Sequence, residues 1–312
     1  MSETHGRVVG RLGPVMFIRA DEDDAEHPCQ GRGPGKAAVV GDRVAYTPGS
    51  GVAGDWGVVT AVGERSSVLQ RKDPIRDHPL TLAANVDVLV IVCAIEPPLR
   101  TGLIDRYLVA AHQAGIQGMV VVNKCDLAGP DHEAHDLVAH YPGLDVPVFS
   151  VSAHSREGVE ALGAALDGRL SIFVGHSGVG KTSLLNVLCP GLQARVNALS
   201  DASGRGQHTT TASALVPLPT GGEIIDTPGV RGFALWGVKG DTLKEHFPEF
   251  TERAAACKFA DCNHLSEPGC AVRAALDAGE IHPLRYRSYR RILESLDAPF
   301  HGMGSVNHED DL

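Results

Sequence analysis

The sequence predicts a multidomain chain: an OB-like β-barrel over residues 1–72, a central α/β domain over 73–236 and a mostly helical C-terminal unit over 237–312. Three observations predict it. Residues 7–72 carry short β-like runs broken by Gly- and Pro-rich turns. From about residue 86, continuous apolar strands alternate with helical stretches, and beyond "LWGVKGD" that alternation stops.

The N-terminal runs are "RVVGRL", "VMFIRA", "KAAVVGDRVAYTP" and "GDWGVVTAVGERSSVLQR". Short strands with no helical period between them predict a small antiparallel barrel, of the oligonucleotide-binding type or of the SH3-like type. The next region reads "VDVLVIVCAI", "LIDRYLVAAHQAG", "MVVVNK" and, later, "SIFVG" and "EIID". Strands apolar throughout and separated by helices predict a parallel sheet covered on both faces.

Composition narrows the class. The formal net charge of −10 argues against coating nucleic acid by bulk electrostatics. The acidic runs "DEDDAEH" at 21–27 and "HEDDL" at the C-terminus read as solvated loop and tail. No apolar run approaches twenty residues, and "MSETHGRVVGRL" lacks the layout of a signal peptide, so a cytoplasmic protein with no membrane partner is expected, a monomer in the simplest case. Of seven cysteines, Cys29, Cys93, Cys125 and Cys189 stand alone as packing residues, whereas Cys257, Cys262 and Cys270 crowd around His264.

A G-x-x-x-x-G-K-[ST] loop spans Gly175, His176, Ser177, Gly178, Val179, Gly180, Lys181 and Thr182, with Ser183 following, between strand "SIFV" and helix "KTSLLNVL". The chemistry needs that context: glycines let backbone N–H groups close on phosphates, the helix N-terminus adds partial positive charge, Lys181 reaches the outer phosphates and the Thr182 hydroxyl binds Mg²⁺. In "EIIDTPG", Asp226 ends a strand and Gly229 follows at D-x-x-G spacing, where the carboxylate would hold Mg²⁺ through water and the glycine N–H would sense a γ-phosphate. Between them, "SDASGRGQHTTTASALV" reads as a polar switch loop with Thr210, or its neighbour Thr209, as the further Mg²⁺ ligand.

"VVVNKCDL" at 120–127 ends a buried strand in N-K-x-D. Asp126 would accept two hydrogen bonds from guanine, which adenine cannot supply, while Asn123 and Lys124 brace the loop. "SVSAHS" offers a second base-contacting loop at Ser152 and Ala153. The order is therefore base loop, second base loop, phosphate loop, switch, D-x-x-G, whereas ordinary GTPases begin with the phosphate loop. A parallel sheet tolerates this because its site is built from loops at the strands' carboxyl ends. The reading is a circularly permuted P-loop GTPase domain binding GTP and GDP, with Lys181, Thr210 and His208 as its candidate catalytic residues. Val230 stands where small signalling GTPases carry a water-orienting glutamine, so intrinsic hydrolysis is expected to be slow and His208 is the candidate substitute.

Cys257-x4-Cys262-x-His264-x5-Cys270 supplies soft ligands for closed four-coordination, which fits one structural Zn²⁺. Downstream, "HPLRYRSYRR" at 282–291 reads either as an RNA-facing surface or as a solvated helix face.

"NKCDL", "GHSGVGKTSL", "GRGQHTTT", "DTPGVRGF" and "CKFADCNHLSEPGCAV", in that order, with "VGDRV" and "LIDRYLV" upstream, resemble the bacterial small-ribosomal-subunit biogenesis GTPases of the RsgA family. The resemblance covers nearly the whole chain. It implies an OB-fold, a permuted GTPase domain and a zinc finger, action in late maturation of the small ribosomal subunit and on its rRNA, and subunit-stimulated hydrolysis in which the loop histidine matching His208 takes part. The competing reading is a GTP-sensing RNA- or ribosome-binding factor with negligible hydrolysis. An ATPase would require the base loop to be misread.

Overall fold

The computed structural model describes residues 4–50, 56–73, 76–129, 132–192, 195, 212–226 and 233–297. Five strands form the N-terminal barrel: β1 (Thr4–Leu12), β2 (Val15–Ala20), β3 (Glu26–Gly31), β4 (Arg43–Thr47) and β5 (Gly57–Val62). They pair in the order β1-β2-β3-β5-β4, and β1 returns to β4 to close the ring. The pairing of β3 with β5 is parallel and the other barrel pairings are antiparallel. That closed five-stranded ring is the OB-like barrel expected from the sequence. Its interior is filled by Val8, Ile18, Cys29, Val44, Tyr46 and Val59, all buried.

The stretch "GDWGVVTAVGERSSVLQR" does not form one strand. β5 ends at Val62, and β6 (Val68–Lys72) pairs with β7 (Pro79–Ala84) in a separate hairpin.

The central sheet has the order β10-β9-β8-β11-β13-β12, with β8 (Val88–Ala94), β9 (Gln117–Asn123), β10 (Val148–Ser150), β11 (Leu170–Gly175), β12 (Ala212–Pro217) and β13 (Glu223–Asp226). All of these pairings are parallel except the one joining β12 to β13. Every residue of β8 is buried, as a strand covered on both faces requires. Helices described with this sheet include α1 (Thr101–Gln113), α2 (Glu133–Val138), α3 (Val159–Ala165) and α4 (Lys181–Leu188). Because β8, β9, β10, β11 and β13 run parallel, their carboxyl ends all lie at the same edge of the sheet.

The barrel and the central sheet are continuous, since β12 pairs antiparallel with β1. The C-terminal unit follows a short 3-10 turn, Leu243–His246, and comprises α5 (Pro248–Ala254), the Cys/His segment, α6 (Ala271–Asp277) and α7 (Pro283–Asp297). It packs on α1 through a buried ion network: Arg285 donates to Asp105 of α1 at 2.6 Å and to Glu249 of α5 at 2.7 Å, and the Tyr141 hydroxyl donates to Asp105 at 2.8 Å. Without Arg285 both carboxylates would be buried with no counter-charge, so the network holds the two units in register.

This changes the reading of the arginine run. Arg285, Ser288 and Tyr289 face inward, leaving Arg287 and Arg290 exposed on that stretch. No helix among the described residues is long and apolar enough to cross a membrane.

Candidate functional site

Asn123, the last residue of β9, is 1% exposed and ties three loops together. Its Nδ2 donates to the Val179 carbonyl of the phosphate loop at 2.8 Å, and its Oδ1 accepts from the Ala153 N–H at 3.1 Å. A buried amide with both ends satisfied is a rigid joint, because breaking either bond strands a buried polar group. The joint also explains Gly180: its φ is 82°, and a Cβ there would lie 2.4 Å from Asn123 Nδ2. Gly175 is constrained in the same way, since a Cβ would sit 2.3 Å from the Val92 carbonyl oxygen of the neighbouring strand.

Lys124 follows in the left-handed region, φ 63°, a conformation that costs a non-glycine residue about 1–3 kcal/mol and is held here by its Nζ donating to the Glu96 carbonyl at 2.5 Å. Asp126 then stands exposed in the short turn Cys125–Leu127. In the adjoining loop, Ser152 is buried and its Oγ accepts from the N–H groups of His154 and Ser155 at 3.2 and 2.9 Å, which shapes the turn that presents Ala153.

α4 begins at Lys181 with Gly180 as its N-cap. His176, Ser177 and Gly178 are exposed on the loop, Val179 is buried beneath it, and Thr182 and Ser183 are exposed on the helix's first turn. His176 donates through Nδ1 to the Ser177 carbonyl at 2.8 Å. Across the loop, burial pushes the Asp226 carboxyl above its usual value and the Lys181 ammonium pulls it back. The two charges expected to flank a metal–phosphate group are thus near enough to influence each other. His208, Thr210 (with Thr209), Gly229 and Val230 lie outside the described residues.

The structure also brings together Cys257, Cys262, His264 and Cys270, whose ligand atoms all lie within 4.8 Å of one another. His264 Nδ1 is 3.6 Å from Cys257 Sγ and 3.4 Å from Cys270 Sγ. Those spacings match the roughly 3.5 Å ligand-to-ligand edge of a tetrahedral site with metal bonds of about 2.0–2.3 Å. The Ala271 N–H points at Cys257 Sγ and the Arg273 N–H at Cys270 Sγ, both suited to stabilising thiolates. The cluster can hold a metal ion. Sequence reasoning could not have found the backbone acceptors on Glu96 and Val179, which carry no side-chain signature.

A phosphate loop, a base loop and a second loop joined by one buried amide, on strands read in permuted order, define the class: a circularly permuted P-loop GTPase. The RsgA GTPase family model matches residues 62–236. Small ribosomal subunit biogenesis GTPase RsgA of Serratia proteamaculans is 45% identical over 93% of this chain and 84% of its own length, and that of Dickeya dadantii is 46% identical with the same coverages. The crystal structure of YjeQ from Thermotoga maritima superposes with a TM-score of 0.75 at 32% identity, covering 95% of this chain and 99% of that one. YloQ, described as a circularly permuted GTPase, superposes with a TM-score of 0.71 at 26% identity, covering 95% of each chain. This chain belongs to the RsgA GTPase family.

Proposed function

We propose that the chain is a GTP hydrolase that acts late in maturation of the small ribosomal subunit, binding it and its rRNA in the GTP state and leaving after subunit-stimulated hydrolysis. The joint at Asn123 carries the nucleotide half of this reading, because it fixes a guanine-reading loop against a phosphate loop. The partner is supported by relatives named as small ribosomal subunit biogenesis GTPases over nearly the whole chain.

In this reading Asp126 pairs with guanine, with Ala153 of the second loop presenting its backbone to the base and Ser152 shaping that loop. Residues 175–183 cradle the phosphates, and Lys181 neutralises the charge that develops on the transferred group. Thr182, Thr210 and Asp226 would hold Mg²⁺, which neutralises phosphate charge when bound. The Gly229 N–H senses the γ-phosphate and His208 orients water in place of the missing glutamine. Cys257, Cys262, His264 and Cys270 hold one structural Zn²⁺, three thiolates and one imidazole being a donor set that zinc favours. The protein works in the cytoplasm as a monomer.

Co-sedimentation tests the nucleotide dependence. With a non-hydrolysable GTP analogue the protein pellets with small subunits, and with GDP it stays in the supernatant. Equal binding in both states, or to large subunits as well, would count against the proposal.

A further inference from the structure

We infer that the contact between the GTPase domain and the C-terminal unit is a pH-sensitive joint, closed by two pairs of imidazoles and loosened as these take up protons. The inference goes beyond the proposed function and rests on neither its nucleotide half nor its ribosomal half.

Each pair takes one histidine from each side. His140, two residues beyond the end of α2, stacks on His282, the residue before α7, with ring centroids 4.2 Å apart and planes 6° from parallel. His112, in the last turn of α1, lies against His246, the last residue of the 3-10 turn, with 2.9 Å between their Nδ1 atoms. Both pairs adjoin the Arg285 network. Tyr141, which follows His140, donates to Asp105, and Phe247, which follows His246, has the Arg285 guanidinium 4.4 Å from its ring centroid.

The geometry of both pairs suits uncharged rings. Nδ1 and Nε2 of His140 are both buried with no hydrogen-bond partner, so an added proton there would meet neither water nor an acceptor. His282 Nδ1 accepts from the Leu284 N–H at 3.3 Å, a bond that only a bare nitrogen can accept. In the other pair, two nitrogens 2.9 Å apart share one proton, one donating and one accepting, and the Nε2 of His246 is buried without a partner.

The charged neighbours mostly reinforce this. Burial first, then His282 and the Arg285 cation of α7, push the His140 pKa down to about 4 from the usual 6.5, and Glu249 of α5, itself paired with Arg285, opposes them. Asp105 of α1 is likewise engaged by Arg285 and Tyr141. Burial and then His112 lower the pKa of His246, with Glu245 opposing. Parting the two units would return the buried nitrogens to water, where an imidazole binds a proton near 6.5. Because the docked pKa is the lower one, docking is fully favoured above about pH 6.5 and weakens as pH falls from there towards 4, where docked His140 itself takes the proton.

Amide hydrogen exchange of the full-length protein, corrected for the intrinsic rate at each pH, reads the opening through α1 and α7. Between about pH 7.5 and about pH 5.5, protection of these helices is expected to fall roughly 10-fold through His140 alone, and further through His246. His140→Phe keeps a ring to stack and His246→Gln keeps a donor for His112, but neither titrates. Each is expected to flatten part of the dependence, and the double variant most of it. Equal protection of the wild-type helices at both pH values would overturn the inference. The Cys/His cluster is the same in every variant, so acid release of a metal would leave the double variant as pH-dependent as the wild type, which would also overturn it. Should a variant fail to fold, ring-proton NMR of the wild-type protein decides: His140 is expected to stay neutral at about pH 5.5, and titration near 6.5 would refute the joint.

Discussion

Asp126→Asn is expected to weaken GTP and GDP binding by roughly 10⁴-fold, the discrimination typical of a site built to hydrogen-bond a substrate group that is then mismatched. In the proposed site the carboxylate accepts from guanine N1–H and the exocyclic amine, and the asparagine amide would set a donor against one of those donors. The side chain is exposed in the turn after Lys124, so the substitution leaves the fold's core intact. Asn123 would be a poorer probe, because the same change that disturbs the base also severs the joint to Val179 and Ala153. Calorimetric titration with GTP, GDP and xanthine nucleotides checks the expectation: guanine affinity falls while xanthine affinity rises, since xanthine offers a carbonyl where guanine has its amine. Unchanged guanine affinity would remove Asp126 from the base site.

Cys262→Ser is expected to release the metal and unfold the C-terminal unit. Cys262 is 2% exposed, and its partners Cys270 and His264 are buried with it. A structural zinc site contributes about 10–16 kcal/mol to folding a small domain, comparable with the whole stability of an ordinary one. Elemental analysis is expected to find one zinc per wild-type chain and none in the variant. The helical circular dichroism contributed by α5, α6 and α7 is expected to fall, while guanine-nucleotide binding persists because α4 and the phosphate loop belong to the other unit. Retained zinc at full stoichiometry would refute the ligand set.

What the sequence reveals and what it conceals follow from the range of the interactions. The parallel sheet is legible because its strands are apolar throughout, and the permutation because each motif sits at the end of one such strand. The Cys/His cluster is legible because its donors fall within a few turns of chain. The barrel's type is not, because an OB ring differs from other small barrels in strand order and in the parallel β3–β5 pairing, neither of which short alternating runs encode. Partners far apart in the chain stay hidden for the same reason. Arg285 looks like one more cation in a basic stretch until Asp105, 180 residues away, is found beside it, and Glu26 looks like loop acid until Arg195, 169 residues away, is found on it. The Lys124 contact to the Glu96 carbonyl is invisible by nature, since a backbone acceptor has no residue type.

The most direct test of the whole account is steady-state GTP hydrolysis by the purified protein, alone, with small ribosomal subunits and with large ones, using ATP as the control nucleotide. The account predicts slow hydrolysis of GTP alone, strong stimulation by small subunits, none by large subunits, and no ATP turnover. A slow GTP rate that small subunits leave unchanged, with tight GTP binding, would contradict it and leave a GTP-sensing binding factor in its place.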